Sequence, residues 1–316
     1  MNSVLDSKAA PVNPPATDLT ELAALLAQHC PQDGVHATPL PHVSLIRSSR
    51  TSIPIHTLQK PALCIVAQGQ KRVFLGTDVY TYGPRQQLVA SVDLPMRGEV
   101  ISATPTEPYF CLMLELDTAL LSELRLEANL ESAKAARQHS YVGLTLSPTD
   151  PEVLDAATRM LRLLRTPQLI SALAPLVERE ILYRLLLGDE TRYLNQLVFA
   201  DSKLRRIAQA IVWLKAHYRE PFRIEVVAAE ARMSSSALHH HFKVVTKMSP
   251  LKYQKHLRLQ EARRLLLSAP SDAATVGFSV GYESPSQFSR EYARMFGAPP
   301  QRDVARLKAR PLQHEV

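Results

Sequence analysis

Hydrophobic and polar residues follow two different rhythms along the 316-residue chain. Between about residues 36 and 116, short runs rich in β-branched and aromatic residues alternate with turn-forming Gly, Pro and Asp. The runs are LCIVAQ (63–68), RVFLG (72–76), VYTY (79–82), QLVASVD (87–93), EVISAT (99–104) and YFCLMLEL (109–116), with turns predicted at Gln68-Gly69, Gly83-Pro84, Leu94-Pro95 and Thr104-Pro105. Such closely spaced short strands predict an antiparallel sandwich or barrel.

Helical periodicity replaces this pattern after residue 117. The segment 118–130 predicts a helix, and Asp150-Pro151 is typical of an N-cap followed by proline at the first position of a helix over 151–165. A second amphipathic segment covers 169–187, where Pro175 predicts a kink. The apolar stripes of these helices need a partner. Two alternatives stay open: they cover the strands, or they pair with the same helices of a second subunit.

The last third of the chain contains one structural unit twice. Helices are predicted over 204–218, 224–231, 234–243, 250–268, 272–280 and 284–296. In each unit a short helix, a tight turn and a second helix follow one another, and each second helix carries a pair of large apolar residues four positions apart, Leu238 with Phe242 and Phe288 with Tyr292. This arrangement is typical of a helix-turn-helix, whose second helix enters the DNA major groove.

The segment between the two units predicts how far apart they lie. Ser249-Pro250 begins a 19-residue helix over 250–268, which would span ~28 Å at ~1.5 Å per residue. Successive major grooves on one face of DNA are ~34 Å apart. Because a helix allows one register only, one subunit should cover roughly two turns of DNA. The second unit's last helix begins with a capping box and an N1 proline in Ser284-Pro285-Ser286-Gln287.

Charge is unevenly divided between the two parts. Residues 1–200 hold 17 Lys/Arg against 20 Asp/Glu, a net charge of −3, whereas residues 201–316 hold 20 against 10, a net charge of +10. A basic surplus confined to one compact helical part indicates a polyanion partner, with nucleic acid favoured over a membrane surface. No apolar run reaches the ~18 residues of a membrane helix.

The ends and the cysteines indicate where the protein resides. Residues 1–17 are rich in Pro and Ala, lack the apolar segment of a secretory signal and predict a disordered arm. The three cysteines, Cys30, Cys64 and Cys111, are odd in number and show no CxxC spacing. This usage is typical of a reduced protein and predicts a cytoplasmic location.

Two stretches resemble a known family. Residues 204–303 resemble the DNA-binding domain of AraC/XylS-type transcriptional regulators, most specifically in MSSSALHHHFKVVTKMSPLKYQKHLRLQEARRLLL and VGFSVGYESPSQFSREYARMFGAPP. PALCIVAQGQKRVFLG and LVASVDLPMRGEV resemble the cupin-like AraC_N sensor domain found in a subset of these regulators. The resemblance implies an α+β protein of two domains, an N-terminal antiparallel cupin-like β-barrel with helices and a C-terminal all-α double helix-turn-helix.

The implied boundaries follow from this resemblance. They are a disordered arm (1–17), a sensor and dimerisation domain with a helical tail (18–200), a DNA-binding domain (201–303) and a tail (304–316). Within the DNA-binding domain, the first unit covers about 222–243, the connector helix 250–268 and the second unit about 271–296. The chain departs from the family twice. Arg232 stands where the first turn usually has Gly, which predicts a different local backbone there, and Asp303-Val304 replaces a closing aromatic-Arg pair.

Helical geometry selects the candidate DNA contacts, because the residues opposite the buried pairs must be exposed. Matching these positions to the family's motif assigns base contacts to Ser236, His239, His240, Ser286, Gln287 and Arg290, and phosphate contacts to Lys243, Lys247 and Arg294. Arg290 suits a guanine and Gln287 an adenine, since both can form bidentate hydrogen bonds to those bases. Lysine on phosphate adds affinity without sequence information. A solvated helix face is the alternative for any one of them.

The histidine run in MSSSALHHHFK suggests a metal site, but its geometry opposes one. Neighbouring helical residues diverge by ~100°, so three consecutive histidines cannot chelate one ion. The residue four positions after His239 is Lys243, which leaves no i, i+4 pair. We therefore predict a DNA-facing surface with no metal. Histidines titrate near pH ~6.5, so DNA binding should depend mildly on pH.

An enzyme in the barrel is the competing class. Metal-dependent cupins need about two closely alternating histidines and a carboxylate, whereas residues 36–116 hold only His36, His42 and His56, with no HxH. We therefore predict no enzyme activity and no cofactor. Cys64 and Cys111 both lie in apolar strands. They are either inert buried thiols or sensors of oxidants or electrophiles.

The combined prediction is a sequence-specific transcriptional regulator controlled by a small-molecule effector in its N-terminal barrel. Its predicted partners are operator DNA, an unidentified effector, RNA polymerase and a second copy of the chain, without membrane contact. The alternatives are a barrel that is only structural or dimerising, a cupin-type enzyme, and a non-specific architectural DNA binder, which would bind every duplex with similar affinity.

Overall fold

A computed structural model describes residues 19–127, 143–188, 194, 197, 202–268 and 272–308. The predicted arm, the last three residues of the helix predicted over 118–130, the boundary at 200–201 and most of the tail fall outside these residues. None of the helices described in these ranges is long and apolar enough to cross a membrane.

Ten strands form the centre of the N-terminal domain. They are β1 (Gly34–Ala37), β2 (Val43–Ser48), β3 (Ile55–Gln59), β4 (Ala62–Gln68), β5 (Gln70–Leu75), β6 (Asp78–Tyr82), β7 (Gln86–Ala90), β8 (Leu94–Ser102), β9 (Tyr109–Glu115) and β10 (Leu144–Pro148). They pair antiparallel in a six-stranded sheet, β1-β2-β9-β4-β7-β10, and a four-stranded sheet, β3-β8-β5-β6. The antiparallel architecture is confirmed, but the predicted barrel is not closed: it is a sandwich of two sheets.

One predicted turn lies inside a strand. Leu94-Pro95 begins β8, where Pro95 is paired with Leu58 of β3. On its other side β8 pairs with β5 only as far as Arg97, opposite Phe74. Because no β5 residue is paired with Pro95, its missing N–H breaks no hydrogen bond there. The sequence pattern also missed β10 entirely.

Four helices cover one face of the six-stranded sheet. They are α1 (Leu19–His29), α2 (Thr118–Glu127), α3 (Pro151–Arg162) and α4 (Ile170–Leu187). Asp150 caps α3 as predicted, because its side chain accepts a hydrogen bond from the Glu152 N–H. Helix α1 is not among the helices predicted from the sequence; its buried leucines pack in one core with those of α3, α4 and the sheet. The helices therefore cover the strands.

Helix α4 also carries a second apolar stripe that faces solvent. Its members are Leu173, Leu176, Tyr183 and Leu187, with Leu169 immediately before the helix; each is at least one-third exposed, and they are spaced three, four or seven positions apart. The opposite face of the same helix is buried in the domain core. Helix α4 therefore covers the sheet with one face, and its other face is available to another subunit.

The remaining helices form the C-terminal domain. They are α5 (Lys203–Ala216), α6 (Ile224–Glu230), α7 (Ser235–Thr246), α8 (Pro250–Ser268), α9 (Ala273–Ser279), α10 (Pro285–Phe296) and α11 (Pro300–Lys308). The long helix α8 has the predicted bounds. Its first half shares a core with α5 to α7 and with the two sheets. Its second half belongs to a separate core with α9 and α10.

Candidate nucleic-acid interface

The first helix-turn-helix consists of α6 and α7. Ser234 begins α7, because its Oγ accepts a hydrogen bond from the Ala237 N–H at 3.3 Å. Leu238 and Phe242 are fully buried, as predicted. The Phe242 ring packs edge-on against Tyr253 of α8, with ring centroids 5.3 Å apart. These contacts hold the opposite face of α7 toward solvent.

The turn before α7 has the same type of backbone as the turn of the second unit, although it lacks glycine. Arg232 adopts the left-handed conformation, with φ of 51°. The Met233 N–H then donates to the Ala228 carbonyl at 2.9 Å, as the Tyr282 N–H donates to Gly277 in the second unit. The different backbone predicted from Arg232 is therefore wrong. A left-handed non-glycine residue costs roughly 1–2 kcal/mol, which the packing of the unit offsets.

The second helix-turn-helix consists of α9 and α10. The Ser284 Oγ accepts from the Gln287 N–H at 3.4 Å, which is the first half of the predicted capping box. The second half is absent among the described contacts, since the Gln287 amide donates instead to Glu291 at 3.2 Å. Phe288 and Tyr292 are fully buried, as predicted. Both units thus present the N-terminal turns of their second helices to solvent.

A buried carboxylate closes the second unit where the family's aromatic-Arg pair is missing. Asp303 on α11 is fully buried. It accepts hydrogen bonds from Arg263 of α8 at 2.9 Å, from Arg306 at 2.6 Å and from the Tyr292 hydroxyl at 3.0 Å. This network ties α8, α10 and α11 together. Helix α11 runs through residue 303, at which the DNA-binding domain was predicted to end.

All six predicted base contacts are exposed side chains of α7 and α10. Ser236 and Ser286 occupy equivalent sites, each with its hydroxyl beside that of the capping serine, at 3.3 and 2.9 Å. Arg290 lies one turn further along α10 and donates to the Ser286 carbonyl at 3.3 Å. The structure places three of the six on each recognition helix. Their contact with DNA stays a prediction.

The three predicted phosphate contacts differ in their surroundings. Lys243 is exposed on α7. Lys247, left-handed at the end of α7, is half-buried and forms an ion pair with Asp78 at 3.0 Å. Asp78 belongs to the β5–β6 hairpin, so this lysine is bound to the N-terminal domain. Arg294 is exposed at the edge of a cavity between the domains.

The histidine run is divided by its environment. His239 and His240 are exposed, whereas His241 is half-buried at the flank of α7. Burial, with Lys203 as a further cause, lowers the pKa of His241 and favours its neutral form. Within the described ranges, no group of three or more His, Cys, Asp or Glu side chains is arranged to hold a metal ion.

The contacts between the two domains were not predicted. Lys215 of α5 forms an ion pair with Asp93 at 2.6 Å, and the Tyr253 hydroxyl donates to the Asp93 carbonyl at 2.9 Å. On the second unit, the His56 ring of β3 packs edge-on against Phe296, with centroids 5.4 Å apart. These residues carry no sequence motif, because each pair is distant in the chain.

Two cavities lie near these contacts between the domains. One, of about 540 Å³, opens between the domains and includes Arg97, Lys252, Arg294 and His256 in its lining. Burial lowers the pKa of His256 to about 4, and burial with the nearby His256 does the same for His56. Both rings are therefore neutral at pH 7. The other cavity, of about 310 Å³, lies between the two sheets.

Comparison with known proteins agrees with this architecture. Residues 39–192 match the model of the AraC-type transcriptional regulator N-terminus, and residues 227–306 match that of a helix-turn-helix domain. The chain belongs to the AraC-type transcriptional regulators. Among curated members, the transcriptional activator RhaS of Escherichia fergusonii is 32% identical over 129 residues, 40% of this chain and 46% of RhaS. The uncharacterized regulator YdeC of Bacillus subtilis is 25% identical over 61% of this chain and 63% of its own length.

The matched regions thus span about half the length of these curated relatives. Among solved structures, ToxT of Vibrio cholerae bound to an unsaturated fatty acid superposes with a TM-score of 0.55 at 12% identity, over 86% of this chain and 96% of ToxT. A complex of ToxT with (E)-4-(8-methylnaphthalen-1-yl)but-3-enoic acid gives a TM-score of 0.57 at 12% identity, covering 84% and 98%. At this identity, the likeness shows a shared fold.

Proposed function

We propose that this AraC-type protein is a sequence-specific DNA-binding transcriptional regulator. The observation that carries the proposal is the pair of helix-turn-helix units joined by the single helix α8, each with its polar recognition face exposed. The net charge of +10 over residues 201–316 supports attraction to DNA. A helical connector fixes the separation of the two recognition helices, as two successive major grooves require.

Base contacts are proposed for the exposed side chains at the starts of the recognition helices. In the first unit these are Ser236, His239 and His240, and in the second Ser286, Gln287 and Arg290. Lys243 and Arg294 are exposed and suited to phosphate. Lys247 reaches phosphate only if its ion pair with Asp78 opens.

An effector is proposed to bind in the sheet domain and to regulate the protein without catalytic turnover. The support is the cavity of about 310 Å³ between the sheets, whose wall is shared with the domain interface: Met96 of β8 lines this cavity and also the cavity between the domains. A molecule that displaces Met96 would change the packing between β8 and α8. ToxT, which shares the fold, has been crystallised with organic acids.

The surface of α4 also suits a partner other than DNA. The exposed apolar stripe on α4 is suited to pairing with the same stripe of a second copy, since its spacing is that of a helix-helix seam. We place the protein in the cytoplasm, where operator DNA and RNA polymerase are available to it.

Selection of bound fragments from genomic DNA tests the proposal. The full chain should enrich one motif of roughly two helical turns. At a fixed salt concentration, its affinity for that motif should exceed its affinity for a scrambled duplex of equal length by ~10³-fold or more. Equal affinity for both duplexes would identify an architectural DNA binder and contradict the proposal.

A further inference from the structure

The cavity between the two sheets contains a pair of thiols. Cys64 on β4 and Cys111 on β9 both line it and are both buried. The strand register places Cys64 opposite Met113 and Cys111 opposite Val66, so the two cysteines point to the same side of the sheet as diagonal neighbours. Lys71 of β5, from the other sheet, lines the same cavity.

The two thiols are not equivalent. The pKa of Cys111 is lowered chiefly by its interaction with the Cys64 side chain, and Lys71 lowers it further. The same interaction, together with burial, raises the pKa of Cys64. Cys111 is therefore the thiolate-forming member of the pair. Thiolates, not thiols, are the nucleophiles.

The third cysteine behaves differently. Cys30 is fully buried in the core under the helices and does not line the cavity. Burial raises its pKa to about 11, so its thiolate is scarce at neutral pH. The chain thus contains a built-in control for any chemistry assigned to the pair.

We propose that Cys111 is a covalent effector site for small α,β-unsaturated carbonyl compounds. The proposal deepens the proposed function, since it takes the cavity between the sheets as the effector site. The volume of about 310 Å³ accommodates a small organic molecule, and the ammonium of Lys71 supplies positive charge where the carbonyl oxygen would gain negative charge. The soft thiolate suits the β-carbon of such a compound, and the adjacent cation suits its carbonyl oxygen.

The chemical step is an addition. The Cys111 sulfur attacks the β-carbon, an S–C bond forms, and the π electrons of the C=C bond move to give an enolate whose oxygen faces Lys71. A proton, supplied by the Cys64 thiol and replaced from solvent, then bonds to the α-carbon. One thiol and one enone give one thioether, with no leaving group and no oxidant.

Filling this cavity alters the wall that it shares with the domain interface. Met96 lines both cavities, and β8 and β3 contact α8. The adduct should therefore change the affinity for operator DNA. This is the regulatory consequence to be tested, separately from DNA recognition itself, which is measured on the unmodified chain.

The test is labelling of the full chain with 2-cyclohexen-1-one, with saturated cyclohexanone as the matched inert control. Intact-mass spectrometry should show the gain of one cyclohexenone, and peptide mapping should place it on Cys111 and not on Cys30. Cys111→Ser should abolish labelling and Cys30→Ser should leave its rate unchanged. Lys71→Met should slow it by about threefold for each unit by which the pKa rises, because the thiolate fraction falls tenfold while the remaining, more basic thiolate reacts faster.

The operator affinity of the labelled protein should differ at least several-fold from that of the unlabelled protein. An unlabelled Cys111 in the folded wild-type chain, or equal labelling of Cys111→Ser, would overturn the proposal. So would a labelled protein with unchanged operator affinity. Because the wild-type peptide map needs no variant, a folding defect in Cys111→Ser cannot obscure the answer, and a failure here leaves the DNA-binding result intact.

Discussion

The two helix-turn-helix units share a backbone but not a core. In the first, Leu238 and Phe242 belong to a cluster that continues into both sheets of the sensor domain. In the second, Phe288 and Tyr292 pack in a separate cluster closed by α11. The same repeat is therefore held in two ways: the first unit shares its core with the N-terminal sheets, whereas the second unit has a core of its own and contacts the sheets at its edge.

The exposed faces of the second helices also differ between the two units. The first presents Ser and His side chains, and the second presents Gln287 and Arg290, which can pair bidentately with adenine and guanine. We expect the second unit to contribute more base discrimination. The first should respond more to changes in the sensor domain.

The largest effect is expected from Asp303→Ala. Removing the carboxylate leaves Arg263 and Arg306 without their shared buried partner, which should destabilise the second unit by about 3–5 kcal/mol. Hydrogen exchange should show lost protection over 273–308 and little change over 224–246. Glu261→Ala, which removes an ion pair to the exposed Arg264, is the control and should change stability by less than about 1 kcal/mol. Equal loss of protection in both units would contradict separate cores.

The two turns provide the next test. At Gly281 an added Cβ would lie 2.3 Å from the Arg219 carbonyl oxygen, so Gly281→Ala should destabilise the protein by about 2–3 kcal/mol. Arg232→Gly should instead stabilise it by about 0.5–1 kcal/mol, because glycine adopts the left-handed backbone without a Cβ clash. Chemical denaturation measures both. A destabilised Arg232→Gly would show that the arginine side chain holds the first turn.

Acid should separate the domains at His56 and His256. Their folded pKa of about 4 lies below the usual value of 6.5, so the unfolded or undocked state binds more protons. The stabilisation is complete above pH 6.5 and is lost progressively as the pH falls toward 4. Thermal unfolding at pH 7 and pH 5 should show this loss, and the variants His56→Asn and His256→Asn should reduce it. His36→Asn, at a partly exposed site on β1, is the control; an equal effect from it would contradict the assignment.

The smallest effect is expected from Asp78→Asn. It frees Lys247 for phosphate, and a partly exposed ion pair is worth about 0.2–1 kcal/mol, so the affinity for DNA should rise by at most about fivefold. Titration of the operator at two salt concentrations checks this, with Glu107→Gln as a charge-matched control. A weaker affinity would mean that Asp78 orients the first unit for DNA binding.

Features set by local chemistry were predictable from the sequence, and features set by distant pairing were not. Asp150 and Ser284 cap helices where the sequence predicted, because a cap depends on neighbouring residues only. Leu94-Pro95 was predicted to be a turn, but it begins a strand. Whether a strand tolerates proline depends on how far the adjacent strand extends, and the local sequence does not show this. The pairing of Lys247 with Asp78 joins residues 169 positions apart, and no local pattern indicates it.

If two recognition helices bind successive major grooves, loss-of-contact mapping on the selected operator will locate both of them. The affinities of His240→Ala and Arg290→Ala should be measured against operators with every single base-pair substitution. We expect each variant to lose discrimination, by ~1–3 kcal/mol, at its own base pair, with the two positions about one helical turn apart. Uniform weakening across all operators, or loss at the same position for both variants, would contradict it.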